Sequence, residues 1–352
     1  MAVSTLHPEL TAAQLADWRL CLDAYAGEGS MKQRGEIYLP MPSGYRGHTD
    51  EGLAAYTAYK VRAQFPDVMA SSVGAMVGII HSEAIEVELP ANMEYLRENV
   101  DGDKTTLEDF HKNATRALLY LGRYGVLADA PSGGGDPFLA GYRGDTIINW
   151  DRGFYVLDES KMVRSGFQWA HEERYRVLQM VDGVYNAETH TPAGIVEATP
   201  TRLGGGSLTE VPFAIASAKD MGADLEAPPM IGISRAALAM YQLSADYRLQ
   251  LYMSGQETLV AINGEAPTAV GAGVVHEMQG SDGITPDLKY VSPSCTGIDK
   301  HLIAIQDNRV VAIQAGARLF EQSGQANESG KARSMRFRSE TANLKTISQA
   351  SC

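Results

Sequence analysis

Three short stretches of this sequence carry side chains capable of chemistry. His171-Glu172-Glu173 sets an imidazole beside two carboxylates, the groups of a metal site or a general acid–base pair. Asp101-Gly102-Asp103 opens like a calcium loop, and the glycine runs at 133–135 and 204–206 have the composition of a phosphate cradle. Their spacing argues against all three. His171 and Glu172 are neighbours in what reads as a strand, so they point to opposite faces, and no His-Glu-x-x-His helix supports them. The positions after Asp103 lack the remaining calcium ligands, and neither glycine run has a strand before it and a helix after it. No serine stands in a Gly-x-Ser-x-Gly setting, and no Gly-rich segment ends in Gly-Lys-Ser or Gly-Lys-Thr. Cys21, Cys295 and Cys352 show no metal-ligand spacing and are too few for a disulfide framework. His81, His111, His276 and His301 stand singly. The sequence is read as non-enzymatic, with no catalytic residue, cofactor or metal.

One charge feature rises above the background. The chain of 352 residues carries a formal charge of −13, yet its C-terminal stretch holds Lys331, Arg333, Arg336, Arg338 and Lys345 against Glu340. On a helix this is either a solvated face or a set of cations aimed at a phosphate backbone without reading bases. The acidic balance excludes a protein that wraps nucleic acid by bulk attraction, but suits one past which a polyanion slides. Met1 to Leu10 lacks the basic-then-apolar pattern of a secretory signal. The apolar run Ser72 to Ile80 is about half the roughly 20 residues that span a bilayer. A soluble chain made in a reducing compartment is expected.

Periodicity supplies the elements around these stretches. Thr11 caps a helix over Ala12–Ala24, with Leu15, Trp18, Leu22 and Tyr25 on one stripe. Further helices are predicted over Glu51–Phe65, Val68–Ile80 and from Thr105 or Thr106 to Leu121, the last ended by Gly122. Residues 131–216 read as a β-rich module with a turn at Asp182-Gly183. Helix returns over Ser234–Met253 with two apolar stripes, one through Leu238, Tyr241 and Ala245, the other through Met240, Tyr247 and Leu251. A helix apolar on two faces has to be packed on two sides. A Gly- and Pro-punctuated β stretch follows over Glu257–Ser294, with hairpin cues at Asn263-Gly264 and Asp282-Gly283, then a helix over Ile298–Phe320 and a last one from Lys331.

The order of several stretches resembles the portal (connector) proteins of tailed phages and prophages. The landmarks are Asp23-Ala24-Tyr25-Ala26-Gly27, Lys32 to Pro42, and Tyr59-Lys60-Val61-Arg62-Ala63. After them come Tyr95 to Gly102, Leu121-Gly122-Arg123-Tyr124-Gly125-Val126-Leu127-Ala128-Asp129-Ala130-Pro131, and Ile148-Asn149-Trp150. Glu173-Arg174-Tyr175-Arg176-Val177-Leu178, Ala245-Asp246-Tyr247-Arg248 and Ser329-Gly330-Lys331-Ala332 complete the set, in order along nearly the whole chain.

The resemblance implies an α+β portal-type subunit: an α/β wing, two stem helices bracketing a small β clip, a tunnel loop and a tunnel helix. By similarity the wing would be residues 1–227, the first stem helix 228–256 and the clip 257–296. The second stem helix would be 297–320, the tunnel loop 321–330 and the start of the tunnel helix 331–352. Such subunits form a dodecameric ring at one capsid vertex, in the virion and during assembly in the host cytoplasm, through which double-stranded DNA passes during packaging and ejection. Expected partners are further copies of the chain, the terminase large subunit, head-tail connector proteins and capsid or scaffold proteins, with no membrane. Leu238, Met240, Tyr241, Tyr247 and Leu251 would pack between subunits, and Glu265, His276, Glu277, Asp282 and Asp287 would face terminase or adaptors on the clip. Arg318, Lys331, Arg333, Arg336, Arg338 and Lys345 would line the DNA channel. Family members continue into a helical crown, whereas this sequence stops at Ser351-Cys352.

Three other readings remain open at this stage. One is a different virion head or head-tail structural protein. Another is a hydrolase using His171, Glu172 or Glu173, which requires those groups to converge in a pocket. The third is a soluble DNA-binding protein acting through the Lys331–Lys345 helix alone.

Overall fold

The computed structural model describes residues 2–82, 87–131, 135–198, 206–218, 221–255, 257–264, 267, 269–270, 277–278, 283–292 and 297–317. Helix and strand are mixed, as expected of an α+β chain. The helices are α1 (Ala12–Ala26), α2 (Glu28–Gln33), α3 (Asp50–Arg62), α4 (Val68–Ile80), α5 (Leu107–Leu121), α6 (Ile231–Ser254) and α7 (Ile298–Ala312). The chain divides into two compact units. The first comprises Met1–Gly27, Asp67–Arg235 and the part from Ala312 onward; the second comprises Glu28–Pro66 and Ala236–Val311.

In the first unit α1, α4 and α5 pack on one another. Both α1 and α5 start where the sequence places a threonine cap: Thr11 Oγ1 accepts from the Gln14 amide and Thr106 Oγ1 from the Asp109 amide. Trp18, 2% exposed, donates its indole N–H to the Leu121 carbonyl at 2.9 Å, so α1 closes the exposed carbonyl end of α5. Gly122 then turns the chain at φ 77°, a left-handed conformation that admits glycine without strain, and the backbone enters strand β1 (Arg123–Asp129). Cys21 is buried among these helices beside the Ser234 hydroxyl, and burial pushes its thiol up to about 12.

Strand β1 is the centre of a three-stranded antiparallel sheet, flanked by β2 (Phe138–Arg143) and later by β10 (Phe213–Ser217). The second sheet contains β3 (Ile147–Asp151) and β4 (Phe154–Asp158). Between β4 and the next sheet strand the chain makes a separate two-stranded ribbon, β5 (Lys161–Ser165) and β6 (Gln168–Glu172). The sheet then continues with β7 (Tyr175–Val181), β8 (Val184–Thr191) and β9 (Gly194–Ala198), giving the order β3-β4-β7-β8-β9. Asp182 and Gly183, at φ 51° and 79°, make the β7–β8 turn that their sequence predicts.

Buried charges join the two sheets. Arg176 on β7 meets Asp129 on β1 at 2.6 Å and Glu159 at 3.6 Å. The Tyr142 hydroxyl on β2 donates to Glu159 at 2.6 Å, and Arg174 meets the same carboxylate at 2.9 Å. Burial by itself would pull the Arg176 guanidinium down, but the facing Asp129, Tyr142 and Glu159 more than offset it and hold it above its ordinary value.

A second buried cation sits at the other end of β1. Arg123 is 1% exposed, and none of its side-chain nitrogens has a hydrogen-bond partner among the described residues. Its guanidinium lies 4.0 Å from the Trp150 ring, and His7 stacks on the same ring at 3.9 Å. Two groups that close to one ring occupy its opposite faces, so Trp150 is sandwiched. Burial pushes Arg123 down to about 10, with the Glu9 carboxylate acting in the opposite sense. The N-terminal segment is fastened along β3 at the same place, by His7 N–H to the Ile148 carbonyl at 2.8 Å and by Asn149 to the Thr5 carbonyl at 3.1 Å.

In the second unit α3 and the turn-rich segment before it pack against α6. Tyr59 donates to Asp246 at 2.6 Å, Ser244 Oγ accepts from the Gln64 amide at 2.9 Å, and Gln242 donates to the Tyr38 carbonyl at 2.8 Å. These bonds hold Glu28–Pro66 together with α6 inside the second unit. Two strands, β11 (Thr258–Ile262) and β12 (Asp287–Val291), pair antiparallel in the stretch expected to be a small β element. Asn263-Gly264 does end a strand, with Asn263 at φ 55°. The helix expected over Ile298–Phe320 is α-helical only to Ala312; Ile313–Ala317 forms a π-type turn in which Gly316 has φ 120°.

The two buried cations have opposite expectations. Asp129→Ala leaves Arg176 without its closest counter-charge and is expected to lower stability to urea by about 3 kcal/mol, with much of the loss recovered in Asp129→Leu/Arg176→Met. Arg123→Met removes a buried charge that has no hydrogen bonds, so its stability should equal or exceed that of the parent chain. A loss above roughly 2 kcal/mol in Arg123→Met would mean that the stack on Trp150 outweighs desolvation.

Candidate functional site

The second unit leaves an apolar surface open on a helix, a strand pair and a second helix. Along α6 one face is filled: Ala236, Ala237, Met240, Tyr241, Ser244 and Ala245 are buried at helical spacing. Tyr241 meets Phe65 edge-on at 6.0 Å, and burial pushes its hydroxyl up to about 12. Toward the end of the helix this cover stops. Leu251, Tyr252 and Met253 are exposed by 41%, 41% and 49%, although Arg62 covers one face of Tyr252 at 3.8 Å.

The β11–β12 pair continues the pattern, with Tyr290 and Val291 in solvent. On α7 one side is made by His301, Ala304, Ile305, Asn308 and Ala312, none of them exposed, and Gln250 of α6 contacts His301 at 3.0 Å. The other side carries Leu302, Ile303, Val310 and Val311, exposed by 42%, 53%, 47% and 50%. Ile303 and Val310 are seven apart and lie about 20° from each other around the helix, with Leu302 and Val311 on either side, so the four spread over about half of its circumference. Covering each aliphatic side chain fully is worth roughly 1.5–3 kcal/mol, so a stripe of four favours association with another protein surface. Asp299 in the first turn and Arg309 in the last complement the helix dipole, and the exposed Asp307 lies among the aliphatic groups, between Ile303 and Val311.

The structure distributes the sequence-predicted residues unevenly. Met240 and Tyr241 are 4% and 0% exposed inside the chain's own core, so they offer no surface to a neighbour; Leu238 and Tyr247 are half-buried, and Leu251 is exposed. Glu277 and Asp287 are exposed, and Asp287 opens β12 opposite Ile262. Glu265, His276 and Asp282 lie outside the described residues, as do Arg318, Lys331, Arg333, Arg336, Arg338 and Lys345 and the Cys295 loop. His171 and Glu172 pair with Met162 and Lys161 on the ribbon, neighbouring positions on opposite faces, and form no pocket with Glu173. Among the described residues no group of three or more His, Cys, Asp or Glu is placed to hold a metal ion, and no helix is long and apolar enough to cross a membrane.

The sequence reading does not single out this α7 face, though its signal is there: two adjacent aliphatic pairs, Leu302-Ile303 and Val310-Val311, eight residues apart on one helix. The landmark stretches show a different kind of order. Tyr59 and Asp246 come from two separate landmarks and meet directly in the second unit, and Asp129 and Arg176 come from two others and meet in the first.

A family model described as a domain of unknown function (DUF4055) matches residues 229–351, which include α6 and α7. No curated protein matches the chain. Among solved structures the chain is similar to a protein in the neck of an empty GTA particle with C6 symmetry, at 15% identity and a TM-score of 0.44, covering 81% of this chain and 76% of that one. A chain from the virion of a native gene transfer agent particle gives 15% identity and a TM-score of 0.42 over 92% of this chain and 86% of its own. One from the neck of the native GTA particle with C12 symmetry gives 15% and 0.38 over 80% and 78%.

Because the α7 stripe is solvated, replacing it leaves the fold of the single chain intact. The variant Ile303→Asp/Val310→Asp should keep the monomer's unfolding midpoint, with a change of about 0.5 kcal/mol or less, and bind less of an apolar dye. Loss of the folded monomer would show instead that the stripe is packed within the chain.

Proposed function

We propose that this chain is the subunit of a phage portal: a ring at one capsid vertex that passes double-stranded DNA and serves as a docking platform. The observation that carries the reading is the open apolar stripe of α7, with the uncovered end of α6, in a chain whose landmark stretches resemble portal proteins throughout their length. A helix that leaves four large aliphatic side chains about half in solvent is stabilised by a neighbour that covers them. When that neighbour is another copy meeting a different patch, the contact is head-to-tail, and a head-to-tail contact closes into a ring when its rotation divides a full turn.

Within this reading the residues take defined tasks. α6 and α7 are the stem helices, the β11–β12 pair belongs to the clip, and Glu277 and Asp287 are exposed acidic groups for terminase or head-tail connector proteins. Leu251, Leu302, Ile303, Val310 and Val311 pack between copies, with Leu238 and Tyr247 at the margin. Arg318, Lys331, Arg333, Arg336, Arg338 and Lys345 supply rings of cations to the channel. Repeated around a ring, an acidic chain repels phosphate and keeps DNA from adhering, while a few basic rings hold the backbone without selecting a sequence. ATP hydrolysis belongs to the terminase and not to this chain.

Two measurements test the proposal. The purified chain, imaged by negative stain and weighed by mass photometry, should form annular particles with a central hole and a mass near a dozen subunits; Ile303→Asp/Val310→Asp should give monomers. A sheet, or a stable monomer of the parent chain, would count against the portal. In a packaging assay Arg333→Ala/Arg336→Ala should retain less DNA with rings still formed, and unchanged retention would remove those two residues from the channel.

A further inference from the structure

The ribbon β5–β6 and the outer strand β9 are two open surfaces of the same unit, and each holds what the other lacks. Among the described residues the ribbon pairs with no third strand, and apart from Val163 and Glu172 its residues are exposed. Phe167 at its turn is fully in solvent, and Met162 and Trp169 are exposed by 53% and 61%. Met162 faces His171 across the ribbon and Arg164 faces Trp169, so these four side chains share one face. Arg164 has no ionic or hydrogen-bonded partner among the described residues. An isolated two-stranded ribbon is marginally stable in water and is stabilised by further strands paired beside it, whose side chains flank its own on each face.

Strand β9 is the converse. It pairs with β8 alone among the described residues, every residue in it is exposed, and Ile195 and Val196 are 59% and 65% in solvent. Glu197 stands directly opposite Glu188, a like-charge pairing that disfavours the strand as it stands. Glu188 is engaged by Gln179 at 2.7 Å and His190 at 2.8 Å, whereas Glu197 has no partner among the described residues. Ile195 and Glu197 lie on one face of β9, as Met162 and Arg164 lie on one face of β5. The outer edge of β9 contains no proline and no inward charge to block a further strand.

We infer that the β5–β6 ribbon of one copy docks on the β9 edge of a second copy, adding strands to its five-stranded sheet and bringing the unpaired Arg164 to the unpaired Glu197. The occupant is a second copy because both halves of the complement are present in every chain: among the described residues a free edge meets a free edge, the face with Met162 and Trp169 continues the face with Ile195, and Arg164 on that face meets Glu197. Strand addition supplies main-chain hydrogen bonds, and the alternating side chains supply the register. The contact joins different patches on the two copies and is therefore head-to-tail. It deepens the ring reading given above and rests on it only for closure; the contact itself needs two copies and no ring.

Charge reversal tests it on the full chain. Arg164→Glu and Glu197→Arg should each raise the concentration at which copies associate by roughly tenfold or more at low salt, since like charges then face each other. The double variant Arg164→Glu/Glu197→Arg should return that concentration to within about threefold of the parent, because every contact regains opposite charges. Trp169 gives a local readout: Trp18 and Trp150 are already buried at 2% and 8% exposure, so a blue shift and lost acrylamide quenching on association report the ribbon. Rings that assemble with Trp169 still quenchable, or a double variant no better than the singles, would overturn this contact and leave the portal reading standing. Closed dimers with Trp169 covered and the charge swap restoring them would support the contact and overturn the ring. A parent chain that stays monomeric at every concentration overturns both.

Discussion

The first unit depends on how strand β1 holds charge at both of its ends. Arg123 opens the strand and Asp129 closes it, both nearly sealed from water, and each is resolved by a different interaction. Asp129 has an ionic partner on the second sheet, Arg176, which is itself surrounded by Glu159 and the Tyr142 hydroxyl. Arg123 has no anion in contact and is held by the face of Trp150. A buried ion pair adds little net stability but is costly to break, so it fixes which strands meet. The cation under Trp150 fixes the N-terminal segment in turn, since His7 occupies the ring's other face. One seven-residue strand thereby sets the places of α5, both sheets and the chain's beginning.

Much of this was legible without coordinates because the local signals agreed with one another. The sequence places a cap at Thr11, and Thr11 is one; it leaves the start of α5 at Thr105 or Thr106, and Thr106 is the cap; Val68–Ile80 is the expected helix, and Asp182-Gly183 has the backbone angles of the expected hairpin turn. Each rests on chemistry within four residues. The grouping of Glu28–Pro66 with α6 was not legible, because it depends on Tyr59 reaching Asp246 and Gln64 reaching Ser244 across about half the chain. Nothing in either local pattern names its partner. The end of α7 was overread for a similar reason: Ala315, Gly316 and Ala317 continue the helical composition, but Gly316 takes a positive φ that periodicity does not register.

The candidate site shows the same limit from the other side. Two apolar stripes on α6 are legible in the sequence, and they lead to the expectation of packing on more than one side. Which stripe serves the chain and which faces outward is not. Met240 and Tyr241 sit on adjacent positions that the stripes assign to different faces, and the structure buries both. The end of the helix, from Leu251, is the part left uncovered. Hydrophobic periodicity reports that a residue is apolar and recurrent. It does not report whether the complementary surface lies in the same chain, so intrachain core and interchain contact look alike until the chain's own packing is known.

The two surfaces read here as contacts belong to different units, and that has a consequence for assembly. The α7 face is mainly aliphatic, with Asp307 as a charge among its apolar groups, so its strength is set chiefly by buried area. The ribbon and β9 add one ion pair and a set of main-chain hydrogen bonds, so their strength falls with ionic strength and depends on register. A copy held by one contact presents the other at high effective concentration. Closure then strengthens both at once, because the last copy added to a ring makes two sets of contacts and every earlier copy made only one. Assembly built this way is sharply cooperative in copy number while each contact stays weak, which lets misplaced copies leave before the ring closes.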